Sequence, residues 1–377
     1  MNKKDRPEWT PKQPNQAFTT NYLDGIEGGH DGMSREKESN KETRPARSIP
    51  RRRKLTVDDY VNGVLEGNRA IIAQAITLVE SNSQAHMEIA QEVLQQLMPH
   101  TGNSVRIGFT GVPGAGKSTL IESFGSMLCE RGHKVAVLAV DPSSSVSRGS
   151  ILGDKTRMEQ LSRNKNAFVR PSPSSGTLGG VARKSRETLL ICEAAGFDVI
   201  IVETVGVGQS EITVRSMVDF FLVLMLTGAG DELQGMKKGV MEIADAIFIN
   251  KADGQNKQAA LNAKVEYNRL LHYLQPATEG WETKAYTVSA LTGEGVPTIW
   301  DVVHEYKEIT VKNGLFEERR RKQTLDWMKT LIEDQLMSRF YQHPEVVKSM
   351  PMVEQNVIDG KASATLAVRQ LLDLYDR

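Results

Sequence analysis

Between residues 104 and 310 the chain alternates short, almost wholly apolar runs with longer stretches whose apolar residues recur at helical spacing. The runs are VRIGFT (105–110), KVAVLAV (134–140), DVIIVE (198–203), FFLVLML (220–226), AIFIN (246–250) and KAYTVS (284–289). Each is apolar at successive rather than alternate positions, the pattern of a strand buried on both faces. Strands separated in this way by helical stretches predict an α/β fold, a mostly parallel sheet flanked by helices.

On either side the pattern becomes helical. Upstream lies LTVDDYVNGVLEGNRAIIAQAITLVE (55–80), where Thr56 ahead of Asp58 and Asp59 is a helix start. Ala70, Ile71, Gln74, Ala75 and Leu78 then follow a helical period, and a second helix near 84–98 stops before Pro99. Beyond about residue 312, Leu325, Met328, Ile332, Leu336 and Phe340 form a row, and TLAVRQLLDLY (365–375) ends the chain. Such a row packs on its own domain or, in a long terminal arm, on a second subunit. Residues 1–54 carry few apolar side chains and end in RRRK (51–54). They cannot bury enough surface to offset the entropy of ordering, so a disordered polar tail is expected. The basic run is either part of a solvated tail or a docking patch. The expected organisation is therefore a tail (1–54), a helical segment (55–100), the sheet domain (101–312) and a helical arm (313–377).

Composition narrows the function. Lysine plus arginine and aspartate plus glutamate both number 47, so the formal net charge is zero. That balance gives no reason to expect nucleic acid or an anionic membrane as partner. Cys129 and Cys192 lie in helical patterns away from any CxxC, which argues against a disulfide framework or zinc cluster and for a reducing compartment. No apolar stretch approaches the ~20 residues of a membrane span. The polar, proline-rich and acidic N-terminal stretch does not read as a signal or transit peptide, so a cytoplasmic location is expected.

The first chemical motif is GVPGAGKST, residues 111–119, between an apolar strand and a helical run. Gly111, Val112, Pro113, Gly114, Ala115 and Gly116 form a loop whose backbone N–H groups can turn inward around phosphate oxygens, at the positive end of a helix. Lys117 is expected to reach the β- and γ-phosphates and the Ser118 hydroxyl to bind Mg²⁺, with Thr119 next to it. The second motif is NKAD (250–253), directly after a strand. Asp253 is suited to accept from guanine N1–H and the 2-amino group, which adenine lacks. Asn250 can bridge the base and the phosphate loop, and the Lys251 stem can lie over the ring. SAL (Ser289, Ala290, Leu291) follows the next strand and can present the Ala290 N–H to guanine O6. A site that hydrogen-bonds a distinguishing group rejects the analogue lacking it. GTP and GDP are the expected ligands.

VDPSSS (140–145), GDKTRM (153–158), ETVGVGQSE (203–211) and GAGDELQGMKKG (228–239) stand in order between these two motifs. Together the six stretches resemble those of the MeaB/ArgK/MMAA family of GTPases, chaperones of adenosylcobalamin-dependent acyl-CoA mutases such as methylmalonyl-CoA mutase. The resemblance covers about residue 55 to the C-terminus. It implies a homodimeric G protein with the P-loop sheet of the signal-recognition and MinD-like class. Such a protein grips its mutase, gates cofactor delivery and protects the enzyme. It also implies that Asp154 stands near the metal, although a turn residue in GDK is the alternative. Residues 230–239 would be a third switch coupling nucleotide to partner, or else an exposed charged loop.

For the metal, Asp141 and Glu203 end their strands where a Mg²⁺ ligand or a partner of its water would be placed. Gly206 is expected to donate its N–H to the γ-phosphate. The chain departs from the usual GTPase pattern in two places. Glu203 replaces the expected aspartate, and Val207 stands where a glutamine usually orients the attacking water. Gln209 is a possible substitute. Hydrolysis is therefore expected to be slow until a group arrives by rearrangement, with Lys237 as the cation and Asp231 and Gln234 as its relays. Arg148 and Arg157 are weaker candidates for the same role.

Two rival functions remain. One is a GTP- or ATP-dependent kinase linked to amino-acid (LAO/AO) transport, a label once given to family members; no motif for its catalytic carboxylate is visible. The other is a scaffold that binds nucleotide without turnover. The chain has no Asp-x-His-x-x-Gly cobalamin motif, and His86, His272 and His304 read as helix-face residues.

Overall fold

The apolar runs assemble as β1 (Val105–Gly111), β2 (Val135–Val140), β4 (Val199–Thr204), β5 (Phe220–Met225), β6 (Ala246–Ile249) and β7 (Lys284–Thr287). A further strand, β3 (Ala167–Arg170), has no counterpart among the predicted runs. It is four residues long and carries a charge at its end, too short to stand out as an apolar run. The computed structural model describes residues 54–140, 158–171, 178–204, 210–227 and 238–376. Among these the seven strands form one sheet in the order β3-β2-β4-β1-β5-β6-β7. Every neighbouring pair is parallel. Ile107 of β1 is in register with Ile201 of β4 and Phe220 of β5.

Two apolar layers explain the unbroken hydrophobic runs. On one face Ile107, Phe109, Ile201, Leu222 and Phe248 pack with α4 (Lys117–Glu130) and, near the C-terminal side, a helix over Val296–Lys312. On the other, Ile200, Val202, Phe221, Val223 and Ile247 meet the helices that precede β1 and follow β3. Alternate residues of each strand thus enter opposite cores, and each fully buried Leu, Ile or Phe stabilises the fold by roughly 1.5–3 kcal/mol.

The connecting helices are α5 (Glu159–Arg163), α6 (Leu178–Ala194), α7 (Ser210–Arg215), α8 (Lys238–Glu242), α9 (Lys257–Leu271) and α10 (Val296–Lys312). Ahead of the sheet lie α1 (Val57–Leu65), α2 (Arg69–Glu80) and α3 (Gln84–Leu97). Thr56 and Asp59 form a capping box at the start of α1, with bonds of 2.9 and 3.2 Å. The stretch 55–80 is two helices rather than one. Gly67 takes a φ of 72°, and the Asn68 side chain caps a new helix by accepting from the Ala70 and Ile71 N–H groups. The restart also shifts the buried face of α2 to Ile72, Ala75, Ile76, Leu78 and Val79, leaving Ala70 and Gln74 exposed.

After α10 come α11 (Leu315–Gln342), α12 (Pro344–Ile358) and α13 (Ala364–Tyr375). The first turns of α11 are locked to the amino end of the sheet. Arg320 pairs with Asp219 through bonds of 2.8 and 2.7 Å, and Gln323 donates to the Val218 carbonyl at 2.8 Å. Arg319 reaches Thr278 at 2.5 Å and also bonds Tyr306. Farther along, Leu325, Met328, Ile332 and Leu336 are about half exposed, while Phe340 packs against a small core of Val346, Val353, Ala367 and Leu371. Among the described residues no helix is long and apolar enough to cross a membrane.

Candidate functional site

Parallel α/β sheets present ligands at the carboxyl ends of their strands, and three loops converge there. The first is the turn from β1 into α4. Gly111 lies so close to β5 that a Cβ would stand 2.3 Å from the Leu224 carbonyl oxygen. Gly116, the residue before α4, has a φ of 86°, and a Cβ there would meet the Asn250 amide nitrogen at 2.8 Å. Both positions therefore require glycine, for close approach and, with Gly111 at a φ of 155°, for conformation as well. Lys117 opens α4 and its Nζ donates to the Gly111 carbonyl at 2.8 Å, which lays the ammonium along the loop. Ala115 is buried, Val112 half-buried, and Pro113, Gly114 and Thr119 face solvent.

Ser118 and Glu203 meet across the sheet. The Ser118 hydroxyl donates to Glu203 Oε1 at 3.0 Å, although the two residues are 85 positions apart. Glu203 is buried near the end of β4. Next to it Thr204 donates to the Thr110 hydroxyl at 2.9 Å, a fully buried tie between the ends of β4 and β1. The pair was not legible from the sequence, because Thr110 ends an apolar run and Thr204 lies at the start of the ETVGVGQSE stretch, and nothing local connects the two. Their signal was only a polar residue at or next to the last position of a buried strand. Two hard oxygens at the mouth of a phosphate loop suit Mg²⁺. Among the described residues no cluster of three or more His, Cys, Asp or Glu side chains is arranged to hold a metal.

The base-reading loops dock directly on the phosphate loop. Asn250, 1% exposed, donates from Nδ2 to the Ala115 carbonyl at 2.7 Å and accepts the Ala290 N–H on Oδ1 at 3.1 Å. The N–H expected to face guanine O6 is thus turned onto Asn250. Ser289, fully buried, donates to Asp253 Oδ2 at 2.5 Å and fixes the plane of that carboxylate. The Ala252 N–H donates to the Val288 carbonyl at 3.1 Å, tying the two loops together. Lys251 has a φ of 58°, the left-handed conformation, and is the one non-glycine residue among those described with a positive φ. Such a backbone costs of order 1–3 kcal/mol and clusters at ligand clamps. Leu291 is largely exposed.

The arrangement brings together residues 111–119, Glu203, Asn250, Lys251, Asp253, Ser289 and Ala290. Asp141, Arg148, Asp154, Arg157, Gly206, Val207, Gln209, Asp231, Gln234 and Lys237 lie outside the described residues, as does the tail through residue 53.

Comparison with known proteins gives a consistent picture. A family model described as "Methylmalonyl Co-A mutase-associated GTPase MeaB" matches residues 72–345. GTPase ArgK of Escherichia coli (strain K12) is 44% identical over 316 residues, covering 84% of this chain and 96% of that one. The mouse (Mus musculus) protein "Methylmalonic aciduria type A homolog, mitochondrial" is 44% identical over 329 residues, covering 85% of this chain and 79% of that one. A crystal structure described as LAO/AO transport system kinase superposes with a TM-score of 0.68 at 37% identity, covering 85% of this chain and 98% of that one.

Proposed function

The chain belongs to the family of methylmalonyl-CoA mutase-associated GTPases, MeaB, and from that premise we propose that it is a GTP-hydrolysing chaperone of an adenosylcobalamin-dependent acyl-CoA mutase. In this reading it gates cofactor loading of the mutase and protects it from inactivation. The observation that carries the nucleotide half is the Asn250 bridge, one amide holding the phosphate loop at 2.7 Å and the third loop at 3.1 Å. Base recognition and phosphate binding are then parts of one rigid unit. The Asp253 carboxylate, held by Ser289, suits the two donors that guanine has and adenine lacks. The partner half rests on the family description.

Mg²⁺ would be held by Ser118 and Glu203, with Asp141 and Asp154, and would neutralise charge on the β- and γ-phosphates. Lys117 would lie along those phosphates and the Gly206 N–H would meet the γ-phosphate. Water attacks the γ-phosphorus and the bond to the GDP oxygen breaks. With Val207 in place of a water-orienting glutamine, the unaided rate is slow. The mutase supplies what is missing by bringing Lys237 to the transferring group, with Asp231 and Gln234 as relays. A stabilising cation of this kind is worth on the order of 10³–10⁵ in rate.

The helical arm, 313–377, serves as a dimerisation element in this reading. The half-exposed row Leu325, Met328, Ile332 and Leu336 supports a second copy as its cover. The zero formal charge supports a protein partner over nucleic acid, and the site of action would be the cytoplasm. A kinase would move phosphate from GTP to an acceptor other than water, which labelled-phosphate transfer would reveal. The reading is tested by the affinity of the mutase for the protein loaded with a non-hydrolysable GTP analogue and with GDP. A nucleotide-dependent difference supports gating, and equal affinities contradict it, because a ligand without differential affinity shifts no equilibrium.

A further inference from the structure

The left-handed Lys251 turn is held from below by a side chain outside the recognised motifs. Asn256 ends a short 3₁₀ turn, Gly254–Asn256, that follows Asp253. Its Nδ2 donates to the Lys251 carbonyl at 2.7 Å, and its backbone N–H donates to the Asp253 carbonyl at 3.0 Å. Its Oδ1 accepts the Thr227 hydroxyl at 2.6 Å. Thr227 stands just beyond β5, two residues after Met225.

The direction of these bonds follows from the groups themselves. A carbonyl can only accept, so the amide end facing Lys251 must be the NH₂. The oxygen therefore faces Thr227, whose hydroxyl must donate. Both functional ends of the amide are committed, one to the base-reading turn and one to the exit of β5. Thr227 and Asn256 are each half-buried, and the bond between them is partly shielded from water, whereas the bond to Lys251 is exposed.

We infer that Asn256, anchored by Thr227, is a positioning residue that sets how tightly guanine is retained. The inference rests on the guanine-nucleotide reading and extends it to two residues outside the binding motifs. Lys251 pays for its backbone conformation only while the Asn256 amide holds the carbonyl. Without that bond the turn relaxes toward ordinary φ and the Lys251 stem shifts from the base, while Asp253, still held by Ser289, loses the support of the turn beneath it. Thr227 fixes the amide from the other side, so the β5 exit and the guanine reader move as one body.

The test is GDP dissociation from the full-length protein, followed by displacement of a fluorescent GDP analogue. Loss of a single net hydrogen bond of this kind corresponds to roughly a two- to tenfold change. Asn256→Ala loses both bonds and should release GDP roughly tenfold faster, and Thr227→Val, which loses one, roughly threefold faster. Thr227→Ser keeps the hydroxyl and should restore the parental rate. The two damaging changes should be non-additive in the double variant, since they remove one chain of bonds. The effect should fall on dissociation and KM far more than on kcat at saturating GTP. Dissociation within twofold of the parent for both Asn256→Ala and Thr227→Val, or fully additive effects, would overturn the inference. If the unaltered protein failed to bind GDP at all, the guanine reading itself would fall and this inference with it. Should Asn256→Ala not fold, Thr227→Val and Thr227→Ser alone decide the matter.

Discussion

The two ends of the sheet are built by opposite rules. At the amino end, buried charges are matched within the protein. Asp219 takes Arg320 and the Arg106 N–H, and Asp245 takes Arg215 at 2.6 and 3.1 Å together with Thr278 and the Phe221 N–H. Glu193 takes Arg106 at 2.8 and 2.9 Å. Burial alone would raise Glu193, but the Arg106 hydrogen bonds and charge, with Ser104 and the Gly102 N–H, outweigh it and hold the carboxyl below its usual range. At the carboxyl end the described groups are glycines, the Asn250 amide, two serines, two lysines and the separate carboxylates of Glu203 and Asp253. Ser118 donates to Glu203, Ser289 to Asp253 and Asn250 to the Ala115 carbonyl, and the exposed Lys257–Glu294 pair at 2.6 Å joins the two base-reading loops. The lesson is that charge saturation marks the structural end, where α11 is clamped. At the carboxyl end, hydroxyl and amide hydrogen bonds set Glu203, Asp253 and Asn250.

The comparison breaks most severely at Asp245. Asp245→Ala leaves Arg215 buried without its partner and should cost about 3–5 kcal/mol of stability by urea unfolding. GTP affinity of the molecules that remain folded should be little altered.

A sharper contrast lies within α6. Glu187 is as buried as Glu193, six residues away, but among the described residues no hydrogen bond from a guanidinium reaches it as Arg106 reaches Glu193. Burial pushes its carboxyl up to about 7, against the opposing charges of Arg183 and Lys184. A carboxyl raised in the folded state makes its full contribution below the unfolded value near 4.5 and loses it as pH rises through about 7. Stability should therefore fall by up to about 3 kcal/mol between those limits. Glu187→Gln should flatten that slope in thermal melts taken from pH 5 to 8.

At the functional end, Asp253→Asn exchanges two acceptors for an amide. GTP affinity should drop at least about a hundredfold, and xanthine nucleotide, which offers a carbonyl where guanine has its amino group, should gain. The fold should be unaffected in its circular dichroism. A smaller effect on stability than at Asp245 or Glu187 is expected for Gly116→Ala. The added methyl meets Asn250 at 2.8 Å and a φ of 86°, costing about 1–2 kcal/mol and loosening nucleotide binding.

The placement of the phosphate-loop and NKAD stretches at the strand exits was legible in the sequence because each is a short, contiguous motif. GVPGAGKST and NKAD each sit at a strand exit, and their apolar flanks located the strands to within a residue or two. Their meeting, Ala115 with Asn250 over 135 positions, could be inferred only from what the ligand requires. The structural end was not legible. Asp219 and Arg320 are 101 residues apart, and neither carries a periodic signal that names the other. The break at Gly67 and Asn68 carried its own signal, a glycine and then a capping asparagine across a gap in the apolar pattern, which a reading of 55–80 as one helix overlooks. β3 escaped because four residues do not establish a pattern. Asn256 stands only three residues beyond NKAD, yet its role depends on Thr227, which no local reading connects to it.

The most direct test of the account is the rate of GTP hydrolysis by the purified protein, alone and with an adenosylcobalamin-dependent acyl-CoA mutase from the same source. The account predicts slow turnover alone and stimulation of order 10³ or more with the mutase, abolished by Lys237→Ala. Turnover that is the same with and without the mutase would contradict it.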